Sequence, residues 1–529
     1  MSASGAEERS SSLRGGAFRA MNKQPPKKGE FPRSIPGTFQ HLFLPGKDPA
    51  YVYRLLWAIT LAGMILRYWK IDQPIAYDDA YTFIQYATRG VKHILADYSA
   101  PNNHIFHTLL VSISYMLFGD RTWIVRVPAF LAGTLCIPAA YFTARRMFNA
   151  EQSLAAAALV ALTPWFIDYS ANGRGYTLIV LFSLLLANLG ALLIQEQSRT
   201  ALAAYAITAA LGFYTIPIFL YPMAGVSLWV LASLLTSRAP EKGRANRVWI
   251  FLGTCVVSGI LVLLLYSPVI LFGTGLDSIT SNEFVESRDG ELFIENLRPR
   301  AVRTWESWMM GIGQPVQYLI LGGFLVSMLF SGKISTQRLP LPLFLVLAIA
   351  ILLVVQQVAP LARVWIYLEA FYLMFAGAGL AWLAGSLLRW LGSSPSTVVP
   401  TVTLLLVTAV FMSHYLDLRR SAANRDRSPE QYAAGFLATH LQAGDRILAV
   451  APVDIQTAYY LHMNGISYDV FYRRDHPEPV EKAILLLRTG TRYNTPENVL
   501  DFYKLTPDFD PGSFRQIYEY GPVHVYSAD

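Results

Sequence analysis

Apolar runs of about 17 to 24 residues recur along the first four hundred positions of this 529-residue chain, at 51–68, 122–143, 152–169, 175–195, 200–216, 218–236, 249–271, 315–331, 340–358, 364–387 and 398–416. A helix of that length crosses the roughly 30 Å of hydrocarbon in a bilayer. The pattern predicts a polytopic α-helical membrane protein with about 11 transmembrane helices. Only 15% of residues are charged, against about a quarter in soluble domains. Cys136 and Cys255 both lie inside apolar runs, so neither a disulfide nor a cysteine metal site is indicated. The net charge of +7 gathers beside the runs, where it reads as topology, and no basic groove suggests nucleic acid.

Charge also orients the chain. Residues 1–49 are Ser-, Gly-, Pro- and Lys/Arg-rich without an apolar run, which predicts a disordered basic tail on the cytoplasmic side of the cell (inner) membrane. The segment 103–118 is short for a span, and His104, His107, Thr108, Ser112 and Tyr115 form a polar stripe along it. That pattern fits a helix lying in the membrane interface. With 103–118 left out of the count, Arg145-Arg146, Arg199, Lys333 and Arg389 face the cytoplasm. The membrane domain is then 50–416, with a first external loop at 69–121. Residues 417–529 alternate helix-like and strand-like stretches (PEQYAAGFLATHLQ, RILAVA, DIQTAYYLH, YDVFY, AILLLR), predicting a small C-terminal extracytoplasmic α/β domain with a partly parallel sheet.

The external loop carries Tyr77-Asp78-Asp79-Ala80-Tyr81, two adjacent carboxylates just outside the first span. Neighbours on a helix do not share a face. One carboxylate can therefore meet a substrate while the other orients it or helps hold a metal. A helix N-cap is the structural use of such a pair. Arg126, Arg174 and Arg363 all fall on the outer side, against the usual bias of positive charge. They could hold a phosphate through charge-assisted hydrogen bonds, or simply snorkel to the surface. Asn102-Asn103-His104 closes the loop and could bind a sugar, help a carboxylate hold a divalent ion, or cap the in-plane helix. The loop 273–312, with Glu283, Glu286, Asp289, Arg298, Arg300 and Arg303, reads as a solvated cover over the same face.

These residues resemble the GT-C superfamily of membrane glycosyltransferases, the protein O-mannosyltransferases and lipid A aminoarabinose transferases among them. Tyr77-Asp78-Asp79-Ala80-Tyr81 is similar to the Asp-Glu-Ala-Tyr type motif of the first external loop. Asn102-Asn103-His104, the Phe118-Gly119 to Arg126-Val127-Pro128 segment and Arg174-Gly175-Tyr176 resemble further family elements in the same order. The resemblance implies a GT-C fold and transfer of a sugar from a polyprenyl-phosphate-linked donor to a lipid, polysaccharide or protein acceptor at the outer membrane face. It implies Asp78 as general base with Asp79 beside it, Arg126 first and Arg174 or Arg363 next as ligands of the leaving phosphate, and Tyr77, Tyr81, Asn102, Asn103, His104 and Tyr176 as substrate contacts. Asp79 stands where the family usually has Glu, one methylene longer, which leaves metal dependence open; Asp78, Asp79 and His104 would be the ligands of such a metal. Nothing resembles the Trp-Trp-Asp motif of oligosaccharyltransferases. The competing reading is a transporter or flippase of a lipid-linked or small polar substrate, disfavoured by the scarcity of mid-span charges. A non-catalytic assembly subunit would leave the acidic pair unexplained.

Overall fold

The computed structural model describes residues 35–44, 48–237, 240–280, 290–390, 428–474 and 480–528. The tail up to residue 34, the acidic residues Glu283, Glu286 and Asp289, and the eleventh apolar run at 398–416 lie outside the described residues. The membrane half runs α1 (Ile35–Phe43), α2 (Ala50–Tyr68), α3 (Tyr77–Thr82), α4 (Val91–Ala96), α5 (Ile105–Phe118), α6 (Val127–Arg145), α7 (Ala150–Leu162), α8 (Pro164–Ser170) and α9 (Tyr176–Gln195). It continues through α10 (Arg199–Thr215), α11 (Leu220–Leu235), α12 (Glu241–Phe272), α13 (Asp277–Thr280), α14 (Gly290–Trp308), α15 (Gln314–Leu329), α16 (Ser331–Ile334), α17 (Leu341–Gln356) and α18 (Ile366–Trp390).

Each of the ten apolar runs from 51–68 to 364–387 forms helix. Among the described residues six helices are long and apolar enough to cross a membrane, or seven if α7 and α8 count as one bent span. Helices α15 and α17, with 16 residues each, reach only about 24 Å. The 14 residues of α5 fall shorter still, and the helix buries the stripe side with His107, Thr108 and Ser112 while Ile113, Met116 and Leu117 stay exposed. Helix α18 packs on α15 and α7, α6 on α7 and α9, and α10 on α9 and α12. Small residues permit these approaches: a Cβ at Gly379 of α18 would collide with the backbone of Gly323 in α15.

The run 152–169, predicted as one span, is broken. Pro164 has no N–H to donate and holds Thr163 extended, so α8 leaves α7 at 59°. A break frees carbonyls that no water reaches inside the bundle. The fully buried Arg67 of α2 takes them: Nη1 donates to Ala161 O (2.8 Å) and Gly63 O (2.9 Å), Nη2 to Val160 O (3.3 Å) and Nε to Ser170 Oγ (3.0 Å). Helix α8 is thereby aimed so that the turn after it, 171–175, runs against the loop 69–121.

The C-terminal domain contains α19 (Pro429–His440), β1 (Asp445–Ala449), α20 (Val453–Met463), β2 (Lys482–Arg488), α21 (Pro496–Tyr503), β3 (Phe514–Tyr520) and β4 (Val523–Ala528). The sheet order is β1-β2-β4-β3, with β1 and β2 parallel and the other pairs antiparallel. The partly parallel sheet agrees with the expectation. The stretch YDVFY differs: Tyr468–Val470 is a 3-10 turn, and only Phe471 bridges to Ile447 of β1. The β3–β4 hairpin was not expected, because five of the seven residues of β3 are exposed and the stretch lacks a clear apolar face. The domain does not stand apart. Ile75, Phe83, Ile84, Val111 and Ile124 of the membrane half share one core with Ala433, Val453, Tyr459 and Ile484.

Candidate active site

Helix α3 starts at Tyr77 because Ala76, two residues after Pro74, is still extended. Ala76 is the N-cap and no side chain caps the helix, so the carboxylates do not serve as caps; both lie in the first turn, where the helix dipole favours negative charge. The 100° step between neighbours then separates them. Asp79 turns inward, 2% exposed, and accepts from the Gly173 backbone N–H at 2.9 Å. The approach is close, since a Cβ at Gly173 would stand 3.1 Å from both Cβ and Cγ of Asp79. Burial pushes the Asp79 carboxyl above its usual range, opposed by the charge of Arg126, the Gly173 N–H and Arg174. Its Oδ1 meets no hydrogen-bond donor among the described residues.

Asp78 turns outward, its side chain 39% exposed. Arg174 Nη1 lies 2.8 Å and Arg363 Nη1 3.4 Å from Asp78 Oδ2, and Asn102 Nδ2 donates to Oδ1 at 3.3 Å. Arg174 is 4% exposed and leaves the turn that follows α8. Arg363 sits in the 3-10 turn Ala362–Trp365 that leads into α18. Three distant parts of the chain thus put one carboxylate and two guanidiniums together at one end of the helices.

His104 is buried beside Arg174 and packs edge-on against Tyr176, with ring centroids 5.4 Å apart. Burial, and then the charge of Arg174, hold its imidazole well below the usual histidine range, so it is neutral. The Gly175 N–H points at Nδ1 (3.0 Å), and Arg174 Nη2 lies 3.1 Å from Nε2. A neutral imidazole accepts at only one nitrogen. One of these contacts therefore sets donor against donor.

Two expected ligands play other parts. Arg126 is buried at 1% exposure and donates from Nη1 to Ile71 O (2.6 Å) and from Nη2 to Pro74 O (2.9 Å). It pins the start of the loop 69–121 and its charge acts on Asp79, whereas Arg174 and Arg363 stand at Asp78. Asn103 is fully buried and donates to Ile94 O (2.9 Å) and Asp97 O (2.7 Å), fastening the loop on itself. Tyr77 and Tyr81 lie on one face of α3, ring centroids 6.4 Å apart. Among the described residues no three His, Cys, Asp or Glu gather as a ligand set, and His104 and Asp79 are turned to Arg174 and Gly173.

Sequence reasoning missed the Lys70–Asp168 ion pair, which ties the end of α2 to α8. It also missed the grip of α20 on the loop. Ile75 N–H donates to Tyr460 Oη (2.9 Å), Gln456 Nε2 to Ile75 O (2.7 Å) and Tyr459 Oη to Thr122 O (2.8 Å). Polar residues in a helix carry no mark of such partners.

Residues 102–224 match the family model of dolichyl-phosphate-mannose-protein mannosyltransferases. No curated protein sequence matches the chain. Among solved structures, ArnT from Cupriavidus metallidurans in the apo state has a TM-score of 0.59 at 13% identity, covering 90% of this chain and 98% of that one. ArnT of the same organism bound to undecaprenyl phosphate gives 0.59 at 14% identity, covering 91% and 99%. At this identity the likeness establishes architecture: the chain has the multi-pass GT-C membrane fold.

Proposed function

We propose that this protein is a glycosyltransferase that passes a sugar from a polyprenyl-phosphate donor to an acceptor at the extracytoplasmic membrane face, with Asp78 as general base. The observation that carries the reading is the convergence of Arg174 and Arg363 on the outward carboxylate of Asp78. The matched family description and the undecaprenyl phosphate bound to ArnT support the donor class.

The chemistry follows from charge. The acceptor nucleophile loses its proton to Asp78 and attacks the anomeric carbon, and the bond from that carbon to the phosphate oxygen breaks. The electron pair leaves with the polyprenyl phosphate, whose added negative charge Arg174 and Arg363 stabilise. Planar guanidiniums suit that anion better than point charges do. In the free protein the two arginines rest on Asp78; donor phosphate gives them a second anion and places the acceptor's proton within reach of the freed carboxylate. The basic tail puts the N-terminus in the cytoplasm and this site outside.

Transporters also use broken helices, with unwound carbonyls that bind their cargo. Here Arg67 already occupies the carbonyls freed at the α7–α8 break, which favours the enzyme. Asp78→Asn should keep the fold and lose at least about a hundredfold in transfer, the usual worth of a general base. The assay is sugar transfer from a radiolabelled polyprenyl-phosphate-sugar panel in membranes carrying wild type or variant. Full activity of Asp78→Asn would overturn the assignment of the base. Movement of lipid across the bilayer without turnover of any donor would favour the transporter.

A further inference from the structure

We propose that the C-terminal domain completes the active site, with Asp454 and the tyrosines around it forming the subsite that reads the sugar of the lipid-linked donor. The inference rests on the glycosyltransferase reading above and extends it to a second domain.

Helix α20 is held on the external loop by Gln456, Tyr459 and Tyr460, and Phe83 wedges edge-on against Tyr459 and His462 at ring distances of 5.3 and 5.4 Å. This docking brings the first turn of α20 against the motif helix. Asp454 stands in that turn between Val453 and Ile455, whose core Tyr77 packs against, and Tyr77 lies within the field of both Asp454 and Asp78. Tyr81 of the same α3 face and Tyr468 after α20 pack on that same core, and both, with Tyr503 at the end of α21, feel the charge of Asp454.

Docking does not account for this carboxylate. The hydrogen bonds that hold α20 are made by other side chains, and an exposed Asp would serve the helix dipole equally well. Burial instead pushes the Asp454 carboxyl up to about 6. Its Oδ1 is buried without a hydrogen-bond partner among the described residues. A desolvated oxygen left unpaired is a standing cost to the fold, tolerated where a ligand supplies the missing donor.

The surroundings specify that ligand. A carboxylate accepts from two hydroxyls, and tyrosine rings give an apolar face with a polar rim, which suits the alternating C–H and O–H surface of a sugar. An ammonium group would also suit a carboxylate among aromatic rings. Arg89 and Arg473, whose charges reach Tyr468, and Arg474, whose charge reaches Tyr503, oppose a cation there. With the donor phosphate on Arg174 and Arg363, a sugar leading past Asp78 towards Tyr77 meets Asp454.

The test compares wild type, Asp454→Asn and Tyr460→Phe, purified as full chains in detergent, for binding of undecaprenyl phosphate and of the undecaprenyl-phosphate-sugar that wild type turns over. Asp454→Asn should weaken the sugar-bearing lipid about tenfold, the worth of a charge-assisted hydrogen bond, and leave undecaprenyl phosphate unchanged. Tyr460→Phe, which loosens docking alone, should move both lipids together or neither. The proposal falls if Asp454→Asn binds both lipids as wild type does, or if it loses both in parallel. A wild type that turns over no sugar-bearing lipid defeats the underlying glycosyltransferase reading instead.

Discussion

Gly173→Ala tests the site geometry with a single methyl group. Gly173 does not occupy the left-handed region, so alanine costs nothing in backbone conformation and the whole effect is contact. The added Cβ would meet Asp79 Cβ and Cγ at 3.1 Å, several tenths of an ångström inside ordinary carbon–carbon separation. Asp79 cannot simply swing away, because its carboxylate is buried and bonded to the same Gly173 N–H. The first turn of α3 or the turn bearing Arg174 must shift by roughly 0.3–0.5 Å, and that moves Asp78 relative to its arginines. A displacement of about 1 Å at a reacting group costs on the order of a hundredfold in rate, so a third to a half of it should cost about five- to tenfold. Stability should fall by only about 1 kcal/mol, the scale of mild overpacking. The readouts are kcat for transfer and the thermal midpoint in detergent. Unchanged kcat in a folded Gly173→Ala protein would refute the claim that this contact positions Asp78. Replacement of Asp79 by alanine in the same background should restore room, and with it the midpoint.

Arg67→Met should destabilise the bundle by about 2–4 kcal/mol, because it strands the carbonyls of Val160 and Ala161 while removing a buried charge that itself cost desolvation; chemical unfolding in detergent measures it, and an unchanged stability would contradict the capping role. Asp454 predicts a pH trend. Its carboxyl is raised to about 6 in the fold from about 3.9 in an unfolded chain, so the native state holds the proton more tightly. Its contribution to stability is complete below pH about 4 and is lost as pH rises through about 6, on the order of 3 kcal/mol. Thermal midpoints of wild type at pH 5 and 7 should differ more than those of Asp454→Asn; equal differences would sink the assignment.

What was legible in the sequence follows from periodicity and composition. Apolar runs set the helices from 51–68 to 364–387, since a stretch without polar groups has few other ways to satisfy its backbone. Adjacent carboxylates on a short helix had to point apart, and Asp78 and Asp79 do. The roles of the arginines were not legible. Arg126, Arg174 and Arg363 look alike as basic residues at helix ends, yet Arg126 spends its donors on two loop carbonyls while the others reach a carboxylate up to 285 residues away. The break at Pro164 was visible as a proline, but not the arginine on another helix that makes it tolerable. The part of α20 in the site left no local mark, because Gln456, Tyr459 and Tyr460 acquire partners only when the domain docks.

By itself, then, the sequence determined which segments are helices and that polar chemistry gathers at their ends; both follow from the cost of placing uncompensated polar groups in hydrocarbon, which every residue meets locally. Tertiary structure decided which of the equivalent charges meet. Hydrogen bonds and ion pairs act over about 3 Å, and only the packing of α3 against the turn after α8, the start of α18 and the C-terminal domain brings Asp78, Arg174, Arg363 and Asp454 into one neighbourhood.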